Sequence, residues 1–211
     1  MKKGLVIAGL GIPGSGKSSV MKELAKQLNC EVFFEPEDSE WPSFIGDRQV
    51  SGYFTAISWF RNVRVPQLFR AHALAEMGQT VVVDSYFDKS LYCCIDEPTM
   101  DWLIPKMDPY FPVVKKLMEA DWNHLPNADV LVNFSIEKND WLELIRGRGR
   151  SFDRLNGVEG CFGLQELFHR AAIKLSEEFG IKTINFKQEI SSPEEAAQKL
   201  HQHLKSHGLE I

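Results

Sequence analysis

Gly4-Leu-Val-Ile-Ala-Gly-Leu-Gly-Ile-Pro-Gly-Ser-Gly-Lys-Ser-Ser-Val20 is the stretch whose reading decides the fold. Its apolar run, Leu5 to Leu10, reads as a strand buried on both faces and too short to span a membrane. Gly11-x-x-x-x-Gly16-Lys17-Ser18 follows, and then Val20, Leu24 and Leu28 recur at helical spacing. Strand, glycine-rich loop and helix form the context that a phosphate-binding loop requires. Glycines 11, 14 and 16 let successive backbone N–H groups turn toward a phosphate with no Cβ in the way. Ile12, Pro13, Ser15 and Ser19 complete the cradle, and the positive end of the following helix adds a favourable field. Lys17 brings a mobile charge to the β- and γ-phosphates, and the Ser18 hydroxyl can ligate Mg²⁺. The competing reading is an ordinary glycine-rich turn after a buried strand. The complete motif in its required context favours nucleotide binding, with the Lys17 side chain expected to point into an empty site.

The chain has 211 residues, enough for one three-layer domain with a real core and not comfortably for two. A net charge of -5 argues against a protein that coats nucleic acid, so any phosphate-binding charge must be local. Cysteines 30, 93, 94 and 161 show no C-x-x-C spacing, which suggests neither a disulfide framework nor a zinc site and fits a reducing cytoplasm. Lys2-Lys3 before an apolar run mimics a short signal peptide, but no small-residue cleavage site follows and the run flows straight into the loop. No other stretch is long enough to cross a membrane.

Further strands are expected at Cys30–Phe34, Thr80–Asp84, Asp129–Phe134 and Lys182–Phe186. Helical patterns cover 54–77, with a kink or break at Pro66, then 139–146, 163–179 and 193–207. Ser192 is the expected N-cap of the last helix, with Pro193 at its first position. Residues 88–122 read as mostly helical, interrupted around prolines 98, 105, 109 and 112, and residues 37–50 as a loop or short lid. Short apolar strands alternating with helices imply right-handed crossovers and a parallel sheet covered on both faces. The fold class is therefore α/β, a P-loop NTPase-type three-layer sandwich with a five-stranded parallel sheet, in one domain over residues 1–211.

Ligands in such sheets sit beyond the carboxyl ends of the strands, and two of those ends carry acids, Glu35 and Asp84. Asp84 closes a valine run, the hydrophobic-strand-plus-acid pattern that holds Mg²⁺ in P-loop enzymes; its alternative role is a helix N-cap. Glu35 could accept a proton from an attacking hydroxyl, or be a solvated loop acid. Arg146-Gly-Arg148-Gly-Arg150-Ser-Phe-Asp153-Arg154 carries four arginines in nine residues with glycine spacers and cannot be a core segment. It reads as an arginine lid at about 146–160 that covers a transferring phosphoryl group. A solvated basic patch and an RNA-touching segment are the alternatives, the latter weakened by the acidic balance. His203-x-x-x-His207 is read as a solvated face, and Trp59-Phe60 on the long helix as either core or pocket wall.

Together these pieces resemble the deoxynucleoside kinase family, P-loop enzymes related to thymidylate kinases. The likeness rests on Gly11–Ser19, on Glu35-Pro36 with Trp41 close behind, on Asp84-Ser85-Tyr86, on Arg148-Gly-Arg150-Ser-Phe-Asp153 and on Leu164-Gln-Glu-Leu-Phe-His169. It implies ATP-dependent phosphoryl transfer to the 5′-hydroxyl of a (deoxy)nucleoside or similar acceptor. Glu35, Lys17, Arg148 and Arg150 would be catalytic, Arg146 and Gly11–Ser19 would bind ATP, and Ser18 and Asp84 would hold Mg²⁺. Expected partners are the small acceptor and ATP, with no nucleic acid and no membrane; a homodimer is compatible with the sequence. Two departures stand out: Ser85 replaces the arginine that the family carries after the strand-three acid, and Gly52 falls where a base-reading glutamine is expected. Arg61, Arg64 and Lys89 are the candidates to replace the missing charge. The alternatives are a nucleoside monophosphate kinase and a nucleotide-binding sensor that has lost transfer activity.

Overall fold

The computed structural model describes residues 3–148, 161–209 and 211, with the side chains of Gln49 and Arg148 outside that description. The expected lid from 149 to 160, Arg150 included, lies outside the described residues.

Five strands form one parallel sheet: β1 (Val6–Leu10), β2 (Glu31–Phe33), β3 (Val81–Val83), β4 (Val130–Ile136) and β5 (Lys182–Gln188). Their order is β2-β3-β1-β4-β5, so β1 is central and flanked by strands that come later in the chain. That order places a crevice at the carboxyl end of β1, where the connections leave in opposite directions.

Alternation along the strands explains the three layers. Val6, Ala8 and Leu10 of β1 face one apolar layer with Val81 and Val83, whereas Ile7 and Val82 face the other. The second layer is closed by α1 (Lys17–Leu28), through Val20, Met21 and Leu24, and by the last helix, Pro193–Ser206, through Ala197, Leu200 and Leu204. Ser192 caps that last helix, its hydroxyl accepting from Glu195 N at 3.2 Å while the Glu195 side chain returns to Ser192 N.

The first layer is covered by the remaining helices. After a short α2 (Arg48–Ser51) comes α3 (Tyr53–Glu76), which runs through Pro66 unbroken. The expected break fails because Ile57 on one side and Leu68, Ala71 and Ala75 on the other are buried, anchoring both halves. The stretch after β3 holds α4 (Phe87–Ser90), 3₁₀ turns at Leu91–Cys93 and Pro98–Met100, and α5 (Phe111–His124). There Pro98 and Pro112 sit in the first turns of their helices rather than interrupting them, where a missing N–H costs nothing. The helix α6 (Lys138–Arg148) follows β4, and α7 (Leu164–Phe179) precedes β5. Among the described residues no disulfide joins the cysteines, and no helix is long and apolar enough to cross a membrane.

Candidate active site

The loop after β1 is held open from outside. Gly14 and Gly16 both have φ +79°, a conformation that side chains disfavour. A Cβ on Gly14 would lie 2.2 Å from Ile145 Cδ1 of α6. Trp141, buried on the same helix, donates its indole N–H to Pro13 O at 2.9 Å. Gly16 is the N-cap of α1 and offers no side chain to the first turn, so the N–H groups of that turn are left for an anion.

Lys17 and Ser18, the first residues of α1, converge on one carboxylate. Lys17 Nζ donates to Asp84 Oδ1 and to Asp84 O, both at 2.7 Å, and Ser18 Oγ donates to Asp84 Oδ2 at 2.9 Å. Asp84 is buried and does not cap α4, whose N-cap is Tyr86. The expectation that Lys17 points into an empty site is thus corrected: an ammonium in this low-dielectric corner takes the nearest carboxylate. Hard oxygen donors from Ser18 and Asp84, side by side under the loop, suit Mg²⁺, which takes few protein ligands and completes its shell with phosphate and water.

The loop opens on a cavity of about 430 Å³ whose wall includes Gly11 to Ser19, Glu35, Asp84 and Ser85. Beyond them the wall combines aromatic and apolar side chains, among them Trp41, Phe60, Phe87, Trp102 and Phe168, with the charged Glu37, Asp38, Arg48 and Arg64. Trp41 is fixed by its indole N–H to Pro36 O at 2.9 Å and by an edge contact with Phe60, 5.0 Å between centroids. Phe60 is therefore pocket wall, whereas Trp59 packs on it from the side, 4.8 Å away and not among the lining residues. Gly52, at φ +78°, starts α3 and presents nothing to the pocket, and no Asn or Gln side chain lines it among the described residues.

Of the three candidate cations, one reaches the cavity. Arg64 donates from Nε to Asp88 Oδ2 at 2.7 Å, from Nη2 to Asp88 Oδ1 at 2.9 Å and from Nη1 to Glu35 Oε1 at 3.3 Å. Arg61 is turned away, paired with Asp121 through two bonds of 2.6 Å, and Lys89 is buried with its ammonium on Leu125 O at 2.7 Å. Burial pushes the Glu35 carboxyl up, but Arg64, Lys17 and a hydrogen bond from Ser85 outweigh it and hold it below its ordinary value. Burial opposes the charge of Arg64 too, and Asp88 and Glu35 more than restore it.

The structure brings the loop, Glu35 and Asp84 onto one cavity, and adds Arg48 and Trp102 to its wall and Asp88 behind Arg64, three residues that the sequence did not single out. Arg48 stacks over Trp102, 5.0 Å to the ring centroid, and donates to its carbonyl; nothing in the sequence relates two residues 54 apart. Of the lid residues, Arg146 is exposed on α6 and Arg148 ends that helix.

No protein-family model matches the chain, and no curated protein matches its sequence. Solved structures do match. A deoxyadenosine kinase from M. mycoides with bound dATP superposes with TM-score 0.71 at 18% identity, over 95% of this chain and 100% of its own. The fold is that of the P-loop kinases. A thymidylate kinase from Candida albicans matches with TM-score 0.56 at 13% identity, covering 98% of this chain and 93% of that one. One from Ehrlichia chaffeensis matches with TM-score 0.56 at 12% identity, over 96% and 99%.

Proposed function

We propose that this protein transfers the γ-phosphoryl group of ATP, with Mg²⁺, to a hydroxyl of a (deoxy)nucleoside or similar small acceptor. The observation that carries the reading is the single pocket in which a complete phosphate loop, an acid under Lys17 and Ser18, and a second acid, Glu35, share one wall. Such a transfer needs little covalent chemistry, so positioning and charge supply most of the rate. The loop N–H groups and Lys17 take the phosphates, and the Lys17–Asp84 pair keeps the lysine compensated until they arrive. Mg²⁺ on Ser18 and Asp84 would neutralise charge between the β- and γ-phosphates. Glu35 accepts the proton of the acceptor hydroxyl, or orients that hydroxyl as a fixed anion.

The charge inventory favours a neutral hydroxyl over a phosphate as the acceptor. Among the described residues, Lys17, Arg48 and Arg64 share the wall with four carboxylates, Glu35, Glu37, Asp38 and Asp84, and Arg64 already spends its N–H groups on Glu35 and on Asp88 behind the wall. A phosphate monoester brings about two further negative charges and needs unspent cations to meet it.

The test is ADP formation from ATP·Mg²⁺ with four deoxynucleosides and their monophosphates. Acceptor-dependent ADP with deoxynucleosides is expected. ADP only with monophosphates would replace this reading by a monophosphate kinase, and nucleotide binding with no acceptor-dependent ADP by a sensor.

A further inference from the structure

Arg64 is clamped more firmly than a substrate-binding arginine needs to be. Its side chain leaves α3 between two rings, 5.6 Å from the Phe60 centroid and 5.2 Å from that of Phe87. Asp88, on α4 and 7% exposed, then takes two of its N–H groups in a fork. Charge-assisted bonds of 2.7 and 2.9 Å are the strong ones, and the 3.3 Å contact with Glu35 is not. Asp88 therefore sets where the guanidinium lies, and Glu35 meets the edge that Asp88 leaves over. That division leaves Glu35 loosely enough held to turn toward an incoming hydroxyl.

Resting on the phosphoryl-transfer reading, we propose that Asp88 is a positioning residue. It fixes Arg64 so that one N–H edge stands against Glu35 at the reacting end of the pocket, supplying the cation that Ser85 does not. The neighbouring side chains fit this assignment. Ser85 is small, lines the cavity and donates a hydrogen bond to Glu35, so it adds no charge there and Arg64 supplies the guanidinium. Arg61, one turn earlier on α3, forms the same fork with Asp121 of α5 and has no contact with Glu35, so a fork alone does not make a site. What distinguishes Arg64 is its third partner.

The experiment uses the full chain with carboxyl-labelled glutamate and follows the Glu35 carboxyl by ¹³C NMR against pH, without ATP or acceptor. The groups that face Glu35 are Arg64, Lys17 and Ser85. If Asp88 positions Arg64, Asp88→Asn releases the guanidinium and the Glu35 titration moves up toward the ordinary value of about 4.3. If Asp88 is merely a nearby negative charge, its removal moves that titration down; a downward shift or none overturns the proposal. Breaking a buried ion pair from one side can prevent folding. In that event Asp88→Glu, which keeps the charge but displaces the carboxylate that holds the guanidinium, must still raise the Glu35 titration, and an unmoved signal overturns the proposal. A parallel assay of Asp88→Asn with ATP and the fastest of the four deoxynucleosides should show kcat lowered at least about tenfold with the KM for ATP unchanged. An undiminished kcat also overturns it. Because the titration is read without substrates, failure of the kinase reading and failure of this one are seen separately.

Discussion

The phosphate-loop half of the pocket and the half proposed to take the acceptor are built by different means. The loop half is nine consecutive residues, Gly11 to Ser19, working through backbone N–H groups and two side chains that meet at Asp84. The acceptor half is assembled from side chains on separate segments: Glu35 after β2, Arg64 on α3, Asp88 on α4 and Trp102 from the loop that follows. A contiguous backbone motif tolerates no change of residue type, because its geometry is the function. A wall made of side chains can exchange one supplier for another, as Arg64 would do for an arginine at Ser85 under the proposal above.

This contrast predicts a ranking of effects. The largest belongs to the residue through which the halves meet. Glu35→Gln keeps volume and one acceptor oxygen but removes the base, and should lower kcat by about 10²–10⁴-fold with ATP affinity unchanged. Steady-state kinetics decide it: an unaltered kcat would mean that the acceptor is already ionised, as a phosphate is.

Lys17→Met comes next, with ADP formation lowered by about 10²–10³-fold, as when a preorganised donor to the phosphoryl oxygens is lost. Because Lys17 is the cation bonded to the buried Asp84 carboxylate, the melting temperature should also fall, by roughly 2–4 °C for each kcal/mol lost. A melt identical to wild type would show that the pair contributes nothing to the fold.

Smaller effects belong to the acceptor wall. Ser85→Arg would put a second guanidinium beside one already held by Glu35 and Asp88, so kcat/KM for the best deoxynucleoside should fall by about tenfold rather than rise. A gain would show that Arg64 does not do the work of the missing arginine. With no amide in the wall among the described residues, discrimination among the four bases should stay within about 200-fold, the range of apolar contacts.

The last effect is on stability rather than activity and lies behind the wall, on α4. Burial lowers the Lys89 ammonium to about 8, with Glu178 and Asp121 only partly opposing it. An unfolded lysine titrates near 10.4, so between these values the unfolded chain binds the extra proton and stability rises with pH. Below about 8 both states are charged and the cost of burial is present in full. Burial also raises the thiols of Cys30 and Cys93 to about 11 and Cys94 to about 12, which takes stability away above their unfolded value of about 8.5. Comparison with Lys89→Met isolates the lysine: wild type should gain on the variant from pH 8 to 10 by denaturant unfolding, on the order of 3 kcal/mol over the whole window. A constant difference would place the Lys89 titration outside that range.

The strand-loop-helix at the amino end, the parallel sheet and the two strand-end acids were legible in sequence because each is a local pattern. Apolar runs of strand length, glycines at fixed offsets and an acid closing a valine run all follow from spacing along the chain. The element ends shifted by a residue or two: β2 shortened to Glu31–Phe33 at the sheet edge, and β4 and β5 ran on to Ile136 and Gln188. No break occurs at Pro66 because propensity describes an isolated helix, and buried residues on both sides of it override propensity here. Which cation serves the site was not legible. Arg61 and Arg64 lie three residues apart in similar surroundings, and only the packing of α3 against α4 and α5 gives one to Asp88 and Glu35 and the other to Asp121. By itself, then, the sequence determined the phosphate loop, the fold and the presence of acids at the strand ends. Tertiary structure alone decided how the charges pair, because an ion pair depends on distances of a few ångströms between residues 24, 29 and 60 positions apart, which no local pattern encodes.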